Sequence, residues 1–124
     1  MTRIETKYSR NAKGHYSPGI LHNGILYISG QISLNQETKE KPVSFEDEVR
    51  QALDNVELVL KTAGLTKEKI LMVRAYITSI ELWDAFNNTY AEWFGEHKPA
   101  RLVIPCGELH YGCRVEIEAT ATAE

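Results

Sequence analysis

The run Val115-Glu116-Ile117-Glu118-Ala119-Thr120-Ala121-Thr122 alternates apolar and polar residues without a fault. Side chains alternate across a strand, so this run reads as a β-strand with Val115, Ile117, Ala119 and Ala121 on one dry face. Such a strand belongs in a sheet whose dry face something else must cover. Two segments have the pattern to cover it. Val49, Ala52, Leu53, Val56, Val59, Leu60 and Ala63 recur at steps of three and four and form one face of a helix. Ser44 with Asp47 three places on suits its N-cap, and Gly64 suits the position just past its end. A second helix is expected from about Glu81 to Phe94, with Leu82, Phe86, Tyr90 and Trp93 as its apolar stripe and Gly95 as its stop.

Further strands follow from the same period. Ile25 to Ile32 is expected to turn Leu26, Ile28 and Ile32 one way and Tyr27, Ser29 and Gln31 the other. Leu71 to Thr78 sets Leu71, Val73, Ala75 and Ile77 against Met72, Arg74, Tyr76 and Thr78. Arg101 to Pro105 is a short apolar strand. Tyr16 to Leu21 is expected to pair with Ile25 to Ile32 through a turn at His22-Asn23-Gly24, where the Asn-Gly step favours a hairpin. The order strand, strand, helix, strand, helix, strand, strand implies an α+β fold with both helices on one sheet face. The other face mixes Tyr27, Met72 and Tyr76 with Ser29, Gln31, Arg74 and Glu116. It is too apolar for open water and too polar for a core. An oligomer interface that holds a polar site accounts for both properties.

With 124 residues, 43% of them hydrophobic, positions 1–124 read as one domain able to hold a core without crosslinks. A net charge of −3 and the lack of a basic run argue against nucleic-acid or membrane partners. Met1-Thr2-Arg3-Ile4-Glu5 is polar and broken, unlike a secretory leader, so a cytoplasmic location with free thiols is expected. Cys106, His110 and Cys113 lack a paired Cys-x-x-Cys knuckle and an evident fourth ligand, and no metal is expected there. Gln36 to Pro42 is a charge-rich surface connection, and His97 is placed to cap a helix end.

The residue with most chemical promise is Arg101, which opens a strand directly after Pro99-Ala100. Its guanidinium is a planar fork of donors that matches a small carboxylate. Taken alone, an arginine beside a turn is most simply a surface residue.

Context alters that. Tyr27-Ile28-Ser29-Gly30-Gln31-Ile32, Gln51-Ala52-Leu53-Asp54-Asn55-Val56 and Ala63-Gly64-Leu65 resemble landmarks of the RidA (YjgF-like) enamine/imine deaminase family. So do Asn87-Asn88-Thr89-Tyr90, Pro99-Ala100-Arg101 and Val115-Glu116-Ile117-Glu118-Ala119, in family order and across nearly the whole chain. The resemblance implies a chorismate-mutase-like fold of the bacillus type: a mixed six-stranded sheet with two helices on one face. It also implies that three subunits close a homotrimeric barrel with clefts between them. By the same resemblance Arg101 holds the substrate carboxylate, and Glu116 positions or activates the attacking water. Tyr16, Ser29 and Asn87 line the cleft. The alternation alone puts Glu116 and Glu118 on one face and does not choose between them.

The implied activity is hydrolysis of reactive 2-enamine or 2-imino acids, such as 2-aminoacrylate, to 2-keto acids and ammonia, with neither cofactor nor metal. The chain departs from its relatives at Gly14-His15-Tyr16, where Gly-Pro-Tyr is common, and at Val103, where Cys is common. Leu109-His110 stands where Leu-Pro is usual, and the stretch Gly95 to Lys98 is short. Two other readings stay open: a non-catalytic trimer that binds a small keto acid, and a deaminase of a larger catabolic enamine.

Overall fold

The computed structural model describes residues 1–9 and 14–124. Six strands form one sheet: β1 (Thr2–Ile4), β2 (Gly19–His22), β3 (Ile25–Ile32), β4 (Ile70–Ile77), β5 (Ala100–Pro105) and β6 (Val115–Thr122). They lie in the order β1-β2-β3-β6-β4-β5. All neighbours are antiparallel except β4 and β5, which are parallel. Parallel neighbours need a long crossover, and α2 (Trp83–Phe94) supplies it. α1 (Phe45–Thr62) lies between β3 and β4 in the chain. The mixed six-stranded α+β architecture expected from the resemblance is thus present. β1 escaped the residue-by-residue reading because three residues beside charged neighbours carry no period to detect.

α1 begins and ends as its sequence dictates. The Ser44 hydroxyl accepts from the Asp47 amide at 3.1 Å. At the other end Gly64 has φ 79°, and the Leu65 and Gly64 amides donate to the Leu60 and Lys61 carbonyls, a Schellman closure. A short 3-10 turn, Ile80–Leu82, leads into α2, which stops at Gly95 with φ 70°. The buried stripe of α1 and Phe86, Tyr90 and Phe94 of α2 pack with Val115, Ile117, Ala119 and Ala121 in one core. Each large side chain fully buried there contributes about 1.5–3 kcal/mol.

Two strands break the expected alternation, each at an irregularity in pairing. In β3, Ile28 faces Ala119 and Gln31 faces Ile117, so Ser29 and Gly30 together oppose Glu118. This bulge reverses the strand's phase. Gln31 turns into the core side and is buried, whereas Ile32, expected inside, sits beside Glu116 on the other face. In β4 the register shifts between Ile70 and Met72, and Ile70 takes the core place expected for Leu71, which is exposed. A uniform two-residue period cannot foresee either change.

The face away from the helices carries Tyr27, Arg74, Tyr76, Glu116 and Glu118. Leu102 and Ile104 of β5, paired with Arg74 and Tyr76, add exposed apolar surface to it. The connection after β3 is closed by its own hydrogen bonds: Asn35 Oδ1 accepts from the Glu37 and Thr38 amides. Asn55 reaches from α1 and donates to the Ile32 and Leu34 carbonyls, which gives the Gln51-to-Val56 motif a structural task.

Candidate active site

Arg101 lies on β5 with the same parity as Val103, which packs against the core, so its side chain leaves the sheet on the helix side. Its Nη1 donates to Asn87 Oδ1 of α2 at 2.9 Å. The guanidinium stands 4.9 Å from the Tyr90 ring centre and 5.6 Å from that of Trp83. Two aromatic faces and one amide oxygen therefore hold a cation that forms no ion pair among the described residues. The remaining donors of its fork stay open to an incoming carboxylate. Asn87, Tyr90, Phe94, Lys98, Pro99 and Arg101 line a hollow of about 430 Å³ that contains no acidic residue. Beneath it the Tyr90 hydroxyl is buried without a hydrogen-bond partner among the described residues, and burial pushes its pKa up to about 12.

Glu116 lies elsewhere. It alternates with Val115 and Ile117, which are in the core, so it projects from the helix-free face. Tyr16, Ser29, Gly30, His110, Glu116 and Glu118 line a second hollow of about 500 Å³. Burial, and then the charge of Glu118, push the Glu116 pKa above the ordinary carboxylate range, against a smaller opposing pull from His110. Glu118 instead accepts a hydrogen bond from the Tyr76 hydroxyl at 3.1 Å. The alternation could not separate the two glutamates, but their surroundings differ.

The bulge makes room for this arrangement. A Cβ on Gly30 would lie 2.2 Å from Glu116 Oε2, so the carboxylate rests over bare backbone. Ser29 is tied to the preceding segment, since its hydroxyl donates to the Ser17 carbonyl at 2.5 Å and its amide to that of Pro18. With its proton committed, the Ser29 oxygen faces the hollow as an acceptor. The same bonds hold the Tyr16 segment against the hollow.

The five candidate site residues thus divide into two groups within one chain. Arg101 and Asn87 share the helix-side hollow, and Tyr16, Ser29 and Glu116 share the hollow on the opposite face. The sequence reading missed Gly30, and it missed Trp83 and Tyr90 as the backing of Arg101. Trp83 lies off the apolar stripe, yet it packs at the core edge with the guanidinium over its ring. His97 pairs with the Ile70 carbonyl of β4 at 2.8 Å and does not cap a helix. Cys113 is buried, whereas Cys106 is partly exposed beside Glu116.

Comparison with known proteins agrees with this architecture. A family model described as endoribonuclease L-PSP matches residues 6–123. A RutC family protein of Aquifex aeolicus is 38% identical over 98% of both chains. The "Putative reactive intermediate deaminase TdcF" of Escherichia coli is 31% identical, covering 95% of this chain and 94% of its own. The crystal structure of E. coli TdcF with bound serine superposes with a TM-score of 0.93 at 30% identity over the whole of both chains. The E. coli YjgF gene product gives a TM-score of 0.93 at 31% identity, again over both whole chains. From the bulge beside Glu116 to the crossover that delivers Arg101, the chain belongs to the Rid (YjgF) family.

Proposed function

We propose that the protein is a deaminase of small 2-enamine and 2-imino acids, releasing 2-keto acids and ammonia. The observation that carries this reading is the pairing of an unmatched guanidinium in an acid-free hollow with a desolvated carboxylate in a separate one. Arg101 grips the substrate carboxylate, with Asn87 setting the tilt of its fork. Glu116 takes a proton from water as the oxygen attacks the C=N carbon, a task suited to a carboxylate whose affinity for protons is raised. Ser29 and Tyr16 border the reacting end. The carbinolamine then collapses to the keto acid and ammonia, and water is the only co-reactant. A TdcF structure with bound serine, another small amino-acid carboxylate, is in keeping with this class of ligand.

In this reading a working site takes its cationic half from one subunit and its acidic half from the next, in a homotrimer. The partly apolar helix-free face, with Leu102 43% and Tyr27 52% exposed, is suited to burial between copies. Arg101→Ala and Glu116→Gln subunits alone are each expected to keep about a hundredth of the wild-type kcat/KM or less. Mixed after joint unfolding and refolding, they should regain about a quarter of wild-type activity, because random assembly restores that share of the interfaces. No recovery in proven mixed trimers would mean that both halves come from one chain.

The activity itself is tested by generating 2-aminoacrylate with a dehydratase and following keto-acid release. Acceleration by the wild type is expected. Saturable keto-acid binding without turnover would instead favour the non-catalytic carboxylate-binding alternative, and turnover of only bulky enamines the catabolic one. The family description names a ribonuclease, but a net charge of −3 gives that activity no electrostatic support.

Gly30→Ala is expected to lower kcat about 10- to 100-fold, because the new methyl displaces the Glu116 carboxylate. The check is a kcat and KM measurement beside a thermal melt. A folded variant with wild-type kcat would contradict it.

The raised pKa of Glu116 also has a stability consequence. Its folded value lies above the unfolded one, so the folded state holds the proton longer. Stability from this group is present at acid pH and lost as pH rises from the ordinary carboxylate value through the raised one. Glu116→Gln should therefore melt above wild type at neutral pH and converge with it in acid. Equal melting points throughout would show that the carboxylate bears no burial cost.

A further inference from the structure

The segment Cys106 to Cys113 joins β5 to β6 and brings His110 to the hollow that contains Glu116. The local backbone is unusual. Tyr111, directly after His110, has φ 59° and ψ 25°, a left-handed conformation that an L residue with a bulky side chain rarely adopts. Gly112 follows with φ 71°. Two left-handed residues in succession reverse the chain, and the Tyr111 ring stacks on His110 with centroids 3.8 Å apart and planes 26° apart. Strain of this sort persists where surroundings enforce it, and it clusters at functional sites. Neither His110 ring nitrogen has a hydrogen-bond partner among the described residues. The titratable groups around the same hollow are Glu116 and Glu118 of β6, Tyr76 of β4, Cys106 of the loop and Tyr16.

We infer that His110 is the proton donor to the substrate nitrogen, working opposite Glu116 across the imine. The assignment rests on the deaminase reading and adds a residue to it. The cycle starts with the Glu116 carboxylate and the His110 imidazolium. Water oxygen bonds to the C=N carbon, a water proton passes to Glu116, and the π pair moves to nitrogen, which takes the proton from His110. In the second step the carbinolamine hydroxyl gives its proton to the now neutral imidazole while the C–N bond breaks. The departing nitrogen takes the proton held on Glu116. The products are the keto acid and ammonia, and both side chains return to their starting forms. An imidazole suits this exchange because one ring can give a proton and then take one back.

The test compares wild type, His110→Ala and His110→Gln as full-length proteins in the dehydratase-coupled assay, with imidazole added over a range of concentrations. Both variants are expected to lose kcat by about a hundredfold, within the span for a positioned acid, with little change in KM. Added imidazole should restore His110→Ala in proportion to its concentration and leave Glu116→Gln unaffected. A threefold or smaller loss of kcat would overturn the assignment. So would a large loss in folded His110→Ala that imidazole does not relieve, since that pattern marks a role in shape alone. If the wild type itself fails to speed keto-acid release, the deaminase reading falls first and His110 with it. Wild-type turnover with unaffected variants rejects His110 alone.

Discussion

Replacing Arg101 with alanine is expected to lower kcat/KM for imine hydrolysis by about a hundredfold or more. A desolvated charge pair that loses one partner typically forfeits about 2–5 kcal/mol, and ~3 kcal/mol corresponds to that factor. The loss should appear mainly as raised KM, because the carboxylate is held in both ground and transition states. Arg101→Lys is the sharper probe. It keeps the charge, but one ammonium cannot both reach Asn87 Oδ1 and offer a planar fork, and it stacks less well on Tyr90 and Trp83. Lysine is therefore expected to recover only a small part of the activity. Full activity in either variant would remove Arg101 from the site.

The second large effect is on stability and lies away from the candidate site. Glu48 of α1 is 0% exposed, yet it carries a carboxylate. Its Oε1 accepts from Ser33 Oγ at 2.8 Å and from the Arg114 amide at 2.9 Å, and its Oε2 accepts from Arg114 Nε at 2.5 Å. Lys41 adds a longer contact at 3.4 Å, and Arg114 also donates to the Val43 carbonyl. This cluster fastens the exit of β3, the start of α1 and the residue before β6 to one another. Glu48→Ala strands the Arg114 and Ser33 donors, so a loss of about 3–5 kcal/mol is expected in urea unfolding. Glu48→Gln, which keeps the shape and one acceptor, should lose less. A change below 1 kcal/mol for the alanine variant would show that the cluster is open to water.

Much of this molecule is visible in its sequence because its regular elements obey their periods. The Ser44 cap, the α1 stripe, the Gly64 and Gly95 stops and the β6 alternation all appear where the residues put them. What the sequence concealed are departures from a period. The β3 bulge and the β4 register shift depend on which partner residues a strand meets, and pairing is not written in one segment. The family resemblance offers a set of candidate site residues, but not their geometry. Parity alone put Glu116 on the helix-free face. Placing Arg101 on the other side required knowing that β5 runs parallel to β4 at the sheet edge. Nothing in the sequence separates Glu48 from a solvated acid in the first turn of a helix, because its partners come from 15 and 66 residues away.

The single extra residue in β3 has a wider reach than the Glu116 carboxylate. If Ser29 and Gly30 paired in regular register without the bulge, the strand would keep one parity to its end, and Ile32 and Leu34 would point inward in place of Gln31 and Ser33. That core would be oilier, and Glu48 would then face aliphatic side chains where it now has the Ser33 hydroxyl. A one-residue deletion there would remove the bare backbone under Glu116, yet the residues beyond it would keep their inward parity and Ser33 would still reach Glu48. The insertion works as a half-step in the strand's thread, and two distant carboxylates are cut to fit it.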